Sequence, residues 1–398
     1  VGARLCQTTS FVGIIALIAI TVFAPKRLVY DEPWYLGTVP LLREQGLSIQ
    51  FLRSLPGPAG PLYTFVHFAF EPFTGLRAPG VRLVNLGMFG LLIAFTAWLC
   101  RLRGDDVSIA FSLVGLPLLW KMSGLAMTEM PAMSLFMAGL AALWASMQRS
   151  GHRQLILSVL AGACFGIAAL GRQPLLVVIV AIPILWQSRQ HALPLLAAMV
   201  VPLIITVPVF WAWKGLVPPQ AASTASGWAP GHAALALAYA AALVLILAPG
   251  FFKLTGPLLV CAAAMSIGQI LLWPVRIIPM VGIARGVLPA SFLAPFSVAV
   301  VAVMLLAGWL LALSIVRRMA RYPEQRWGSF LGLTCLLLLI SAAKVTHQFS
   351  PRYAAVAAPL LVLITAEHSP QTPAKAARLA IGIAIGGASL TSFFFFTH

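Results

Sequence analysis

The run Phe11-Val12-Gly13-Ile14-Ile15-Ala16-Leu17-Ile18-Ala19-Ile20-Thr21-Val22-Phe23-Ala24, followed closely by Tyr30-Asp31-Glu32-Pro33, decides the reading of this chain. The run carries no charge. With its flanks it reaches the roughly 20 residues that a helix needs to cross the hydrocarbon core. Continuous apolar runs recur to the far end, as in Trp327–Ala343. Of 398 residues, 61% are hydrophobic and 9% charged, and the mean hydropathy is +0.97. That composition lies far outside the soluble range. Backbone polar groups must pair internally in lipid, so the spans are predicted as helices. A β-barrel would show short alternating segments instead. The expected class is therefore all-α and polytopic. No small-residue cleavage site follows the first run, which reads as a retained span rather than a signal peptide.

Hydropathy predicts about thirteen transmembrane helices. They fall near 9–25, 81–100, 107–121, 130–147, 154–170, 174–187, 193–213, 233–250, 254–273, 291–315, 327–345, 353–367 and 378–396. The whole of 1–398 is expected to form one integral membrane domain. The loops Arg101-Leu102-Arg103, Arg149 to Arg153, Gln187 to His191, Arg317 to Arg326 and Lys375 to Arg378 are rich in Lys and Arg. With Arg4 they belong on the cytoplasmic side, and the 26–80 loop becomes extracytoplasmic. Lys121, Arg172, Lys214, Arg276, Arg285, Lys344 and Arg352 also fall on that outer side. They read either as interfacial snorkelling or as the lining of an anion cavity, with phosphate the natural anion.

The formal charge of +17 admits anionic lipid or an anionic substrate. Nucleic acid is excluded as a partner, because the basic residues are spread through short loops. Cys6, Cys100, Cys164, Cys261 and Cys335 form no CxxC pair, so neither a disulfide framework nor a zinc site is indicated. No HExxH, GxSxG or Walker pattern appears, and Gly57 and Gly60 alternate with prolines without a preceding strand.

The 26–80 loop is too long for a plain connector. Pro33 to Glu44 has helical character, Pro56-Gly57-Pro58-Ala59-Gly60-Pro61 is a rigid turn, and Leu62 to Phe70 is too short to cross. Two interfacial amphipathic helices are expected. Asp31-Glu32-Pro33 suits a helix start, with Asp as cap and Glu in the first turn. Its place at the mouth of a span argues for function, since a membrane-edge carboxylate is a functional candidate. It could serve as general base on a hydroxyl. Adjacent helical residues point about 100° apart, so one acid of the pair faces a substrate, and Asp31 is favoured. Glu129 in Met127-Thr128-Glu129-Met130-Pro131 reads equally as a helix start or as a second site acid. Arg172 in Gly171-Arg172-Gln173-Pro174 reads as a turn or, preferentially, as a phosphate ligand. Lys344, His347, Arg352 and Tyr353, between two late spans, read as an interfacial anchor or as a cluster neutralising a leaving phosphate.

Taken together, Asp31-Glu32, Glu129 and Arg352-Tyr353 resemble the acid, second-acid and late Arg-Tyr positions of the GT-C superfamily of membrane glycosyltransferases. A narrower likeness is to the α-1,2-glucosyltransferase of lipid-linked oligosaccharide assembly. It rests on Asp31-Glu32, Gly60-Pro61-Leu62-Tyr63, Arg82-Leu83-Val84-Asn85 and, in part, Arg172-Gln173-Pro174-Leu175. The chain lacks that enzyme's His four residues after the acids and has Tyr35 and Leu36 in that region, so its glucose and acceptor do not carry over.

The resemblance implies a hexosyltransferase of the bacterial inner membrane that uses a polyprenyl-phosphate sugar and a glycan or lipid-linked acceptor, inverts, and works at the extracytoplasmic face. It implies Asp31 as base, Glu32 and Glu129 as catalytic acids holding the geometry, and Arg172, Lys344, His347 and Arg352 as phosphate ligands. Tyr353 and Tyr63 become further substrate contacts, and neither cofactor nor metal is implied. The main rival is a transporter or flippase of lipid-linked sugars, which would show paired repeats and broken helices in both halves. A purely structural membrane subunit is a third reading.

Overall fold

The computed structural model describes residues 2–273, 275 and 288–395. Arg276 and Arg285 lie outside them. Among the described residues the chain is helical with no strand. In order, α1 is Gly2–Phe23, α2 Glu32–Leu36, α3 Thr38–Gln45, α4 Ile49–Arg53, α5 Leu62–Thr74 and α6 Gly80–Arg103. Then come α7 Pro117–Gly124, α8 Glu129–Met147, α9 Gly151–Gly171, α10 Val178–Ala181, α11 Ala192–Trp213 and α12 Pro230–Leu247. The last are α13 Gly256–Leu272, α14 Ala290–Arg321, α15 Arg326–Ile340, α16 Arg352–Ala355, α17 Ala358–Ile364 and α18 Pro373–Phe395.

Among the described residues, nine helices are long and apolar enough to cross a membrane, or ten if one bent pair counts as a span. The expected count of thirteen is not reached, and the differences have local causes. The 107–121 region is a 3₁₀ helix, Val107–Gly115, followed by α7 at an 80° bend. Pro117 starts α7 and cannot continue an earlier hydrogen-bond ladder. The 174–187 region is a chain of short turns punctuated by Pro174 and Pro183. The 353–367 region splits into α16 and α17, with Pro359 in the first turn of the latter.

The 26–80 loop holds four helices rather than two. Pro40 has no N–H to extend α2 into α3. Gly46, at φ +61°, ends α3; no side chain hinders that conformation in glycine. Ser48 Oγ accepts the Phe51 N–H at 3.1 Å and so starts α4.

The single domain expected from the sequence is refined to two compact units: Val1–Ala225 with Ser369–His398, and Ser226–His368. In the first, α8 packs on α6 and α9, α9 on α11, and α1 on α18. Small residues allow close approach, as is common between helices in lipid. A Cβ on Gly386 of α18 would lie 2.5 Å from the Trp120 ring of α7.

Within this unit, several segments group at two opposite ends. Loops assigned to the cytoplasmic side share one end: Trp144 Nε1 donates to Leu102 O, and Gln371 Nε2 to Ser108 Oγ. The other end gathers the 26–80 loop, the starts of α6 and α8, and the ends of α7, α9 and α11. Arg53 Nε donates to Ala212 O and Trp213 Nε1 to Leu52 O, which seats α4 on α11. In the second unit, α12 packs on α14 and α15, and α15 on α17. Arg318 pairs with Glu367 at 2.6 Å.

Candidate functional site

The loop-bearing end of the first unit is organised by α6. Arg82, in its first turn, is fully buried. Its Nε donates to Glu32 Oε1 at 2.8 Å and its Nη2 to Glu32 Oε2 at 2.7 Å. The same guanidinium donates to Pro25 O and Arg27 O, at 2.9 and 2.7 Å. Its carbon lies 4.6 Å from the Phe394 ring centroid. Glu32 accepts two more bonds, from Val29 N at 2.8 Å and Ala126 N at 3.0 Å. The buried carboxylate is thus compensated by a forked ion pair and two amides, which a buried charge requires. Glu32 fixes the loop and has no lone pair left over for a substrate proton.

Asp31, next to it, is half-buried at the N-cap position of α2, and its side chain makes no capping bond there. The local reading as a helix cap therefore fails. Tyr30, just before it, adopts φ +57°, a conformation uncommon for a bulky residue. Its ring meets Phe393 edge-on at 5.1 Å. Lys121 Nζ sits 3.7 Å from the Tyr30 centroid and 3.8 Å from that of Phe393.

One turn further along α6, Asn85 points Nδ2 at the carbonyls of Met122, Leu125 and Met127, at 3.2, 2.8 and 2.8 Å. This fixes the turn that leads into Glu129 at the start of α8. Glu129 is fully buried and paired with Arg172, while Thr128 Oγ1 donates to its other oxygen at 3.3 Å. Gln173 Nε2 reaches back to Pro58 O at 2.6 Å. The two sequence-predicted residues Glu129 and Arg172 are therefore together, but as a mutually neutralising pair.

Tyr63 differs from its expected role as a substrate contact. It is 1% exposed and its hydroxyl donates to Ala126 O at 3.0 Å. It packs on Tyr35 and, at 4.3 Å, on His67. His67, in the short loop helix α5, is fully buried. Desolvation pushes its imidazole down to about 4, against a smaller upward pull from Asn85.

In the second unit, Lys344 ends a 3₁₀ turn, Ser341–Lys344, with Nζ 4.8 Å from the ring of exposed Trp228. His347 is exposed, and Arg352 and Tyr353 are half-buried at the start of α16. Phe349 ties the segment to α12: it stacks on Tyr239 at 5.7 Å and meets His232 at 5.6 Å and Tyr353 at 6.0 Å. His232 Nδ1 and Val345 O lie 2.6 Å apart. The four late residues expected to act together thus share one short segment. Among the described residues, no group of three or more His, Cys, Asp or Glu is arranged to hold a metal.

Sequence reasoning missed the parts played by Arg82, Asn85 and Lys121. The available signal was an arginine in the first turn of an otherwise apolar helix, followed one turn later by asparagine.

No protein-family model matches the chain, and no curated protein does. Two solved structures are similar. ArnT from Cupriavidus metallidurans bound to undecaprenyl phosphate shares 15% identity, with 98% of this chain and 77% of that chain covered and a TM-score of 0.50. The apo state of the same ArnT shares 16% identity over 98% and 78%, with a TM-score of 0.49. The likeness is one of fold. The all-helical membrane architecture expected from the sequence is the one the described residues adopt, and it is similar in fold to that ArnT.

Proposed function

We propose that the protein is a membrane glycosyltransferase of the GT-C type. It moves a sugar, with a hexose the first to test, from a polyprenyl-phosphate donor to a hydroxyl of a glycan or lipid-linked glycan. The reaction occurs at the extracytoplasmic face of a bacterial inner membrane and inverts the anomeric carbon. One observation carries the reading: Asp31 occupies the cap position of α2 without a side-chain capping bond, while Glu32 beside it and Glu129 at the start of α8 are each paired with a buried arginine. That the ArnT of like fold binds undecaprenyl phosphate supports a lipid-phosphate ligand. The narrower likeness to the α-1,2-glucosyltransferase rests on short motifs alone.

In the reaction, the acceptor oxygen attacks the anomeric carbon and its proton passes to Asp31. The bond from that carbon to the lipid phosphate breaks, and its electron pair leaves on the phosphate. Phosphate is already a good leaving group, so the cations need only compensate its charge. Lys344, His347 and Arg352 take that role, with Tyr353 beside them. Arg172 acts through Glu129, and Glu32 and Tyr63 hold the loop.

The test uses the full chain in liposomes with a panel of undecaprenyl-phosphate hexoses and pentoses and lipid-linked glycan acceptors. Asp31→Asn should lower transfer by about 100- to 10,000-fold while undecaprenyl phosphate still binds. Wild-type turnover in that variant removes Asp31 as base and the reading with it.

A further inference from the structure

Asp31 is bracketed by two residues held by different means. Glu32, on its C-terminal side, is locked by Arg82 and two backbone amides. Tyr30, on its N-terminal side, holds a left-handed backbone that a tyrosine seldom adopts. Such a conformation persists only where the surroundings over-determine it. Here the determinants are visible. The Tyr30 ring is pinned edge-on by Phe393 of α18, and the Lys121 ammonium lies between the two rings at 3.7 and 3.8 Å. A cation over an aromatic face is attracted by the ring quadrupole, more strongly where water is partly excluded, and Lys121 and Phe393 are half-buried.

We infer that Lys121, caged by Tyr30 and Phe393, is a positioning residue: it holds Tyr30 in its left-handed conformation and thereby aims the Asp31 carboxylate at the acceptor hydroxyl. The inference rests on Asp31 being the base. The bland alternative is a lysine that offsets the C-terminal dipole of α7, in whose last turn it lies. A dipole partner needs no aromatic cage, and its loss lowers stability without touching turnover.

The experiment compares Lys121→Met, Lys121→Arg and Phe393→Leu in the full chain, reading kcat, affinity for undecaprenyl phosphate as the probe, and the thermal midpoint. A misplaced catalytic group costs up to about 100-fold in rate. Lys121→Met should therefore lower kcat by about 10- to 100-fold with probe affinity unchanged. Lys121→Arg keeps a cation that stacks on rings and should restore most of the rate, with Phe393→Leu falling between. Phe393→Leu leaves all charges in place and serves if Lys121→Met folds poorly.

Wild-type kcat in both Lys121→Met and Phe393→Leu overturns the inference. So does a loss that lies in probe affinity, which would make Lys121 a phosphate ligand. A loss of rate that only follows the midpoint, with no rescue by arginine, overturns it in favour of the dipole role. Asp31→Asn, run alongside, separates the two levels. If it is inactive and Lys121→Met is normal, the positioning role alone falls. If Asp31→Asn is fully active, the transferase reading falls and takes the positioning role with it.

Discussion

Two groups of charged residues, the Glu32, Arg82, Glu129 and Arg172 set of the first unit and the 344–353 segment of the second, are treated in opposite ways. Glu32 and Arg82 are fully buried and bound to each other, and Glu129 is buried against Arg172. Lys344 and His347 instead sit on a short surface segment, with Lys344 over the exposed ring of Trp228. A buried pair cannot take a ligand without leaving one partner uncompensated, so its use is geometric. A cation lying over a ring keeps most of its donors and can turn toward an anion. On the proposed reading this difference is a division of labour: buried arginines shape the loop that carries Asp31, and the later basic segment is left to answer a phosphate.

Three measurements test that division. The largest effect is expected at Arg82. Arg82→Met strands the Glu32 carboxylate and should cost about 3–5 kcal/mol of stability, read as a lowered thermal midpoint in detergent. The double variant Glu32→Gln/Arg82→Met should recover much of it. A loss no larger than that of a surface substitution would show that the pair does not shape the loop.

The second effect comes from His67. Its folded value of about 4 lies below the ordinary 6.5. Above pH 6.5 both states are neutral and nothing changes. Between 6.5 and about 4 the unfolded chain binds a proton that the folded chain refuses, so stability falls with falling pH, by up to about 3 kcal/mol. His67→Phe should flatten this acid slope in midpoints measured from pH 7 to 4.5, and an unchanged slope would mean that His67 titrates freely.

The smallest effect on stability belongs to the second unit. Arg352→Ala should shift stability by no more than about 0.5 kcal/mol yet weaken undecaprenyl phosphate binding about tenfold or more, the worth of a charge-assisted hydrogen bond. A large stability loss with binding intact would reverse the comparison.

The helical membrane class was legible because hydropathy is local. Expected spans differ from single long helices where prolines interrupt apolar runs, at Pro117, Pro174, Pro183 and Pro359, since a proline removes an N–H but leaves hydropathy high. Prolines alone do not settle the matter, because α11 passes through Pro202 and Pro208 unbroken. For the site, Asp31 and Glu32 could be picked out and Asp31 favoured as the base, but what fixes Glu32 could not. Glu32 is fixed by Arg82, fifty residues away in sequence. Tyr63 was read from a motif as a ligand contact, and only packing revealed it as core. Arg82-Leu83-Val84-Asn85 was visible as a likeness, whereas its task of stapling two loops lies in backbone carbonyls that no side-chain pattern displays.

The first unit is made from both flanks of the second, and this sets an order of events during synthesis. Residues up to 225 leave the ribosome well before α18 does. Until α18 inserts, the Arg82 guanidinium lacks the Phe394 face and Lys121 lacks Phe393. A nascent chain thus carries half-dressed cations at the membrane edge while residues 226–368 are still being threaded. Both cations acquire their aromatic partners only when the final helix arrives.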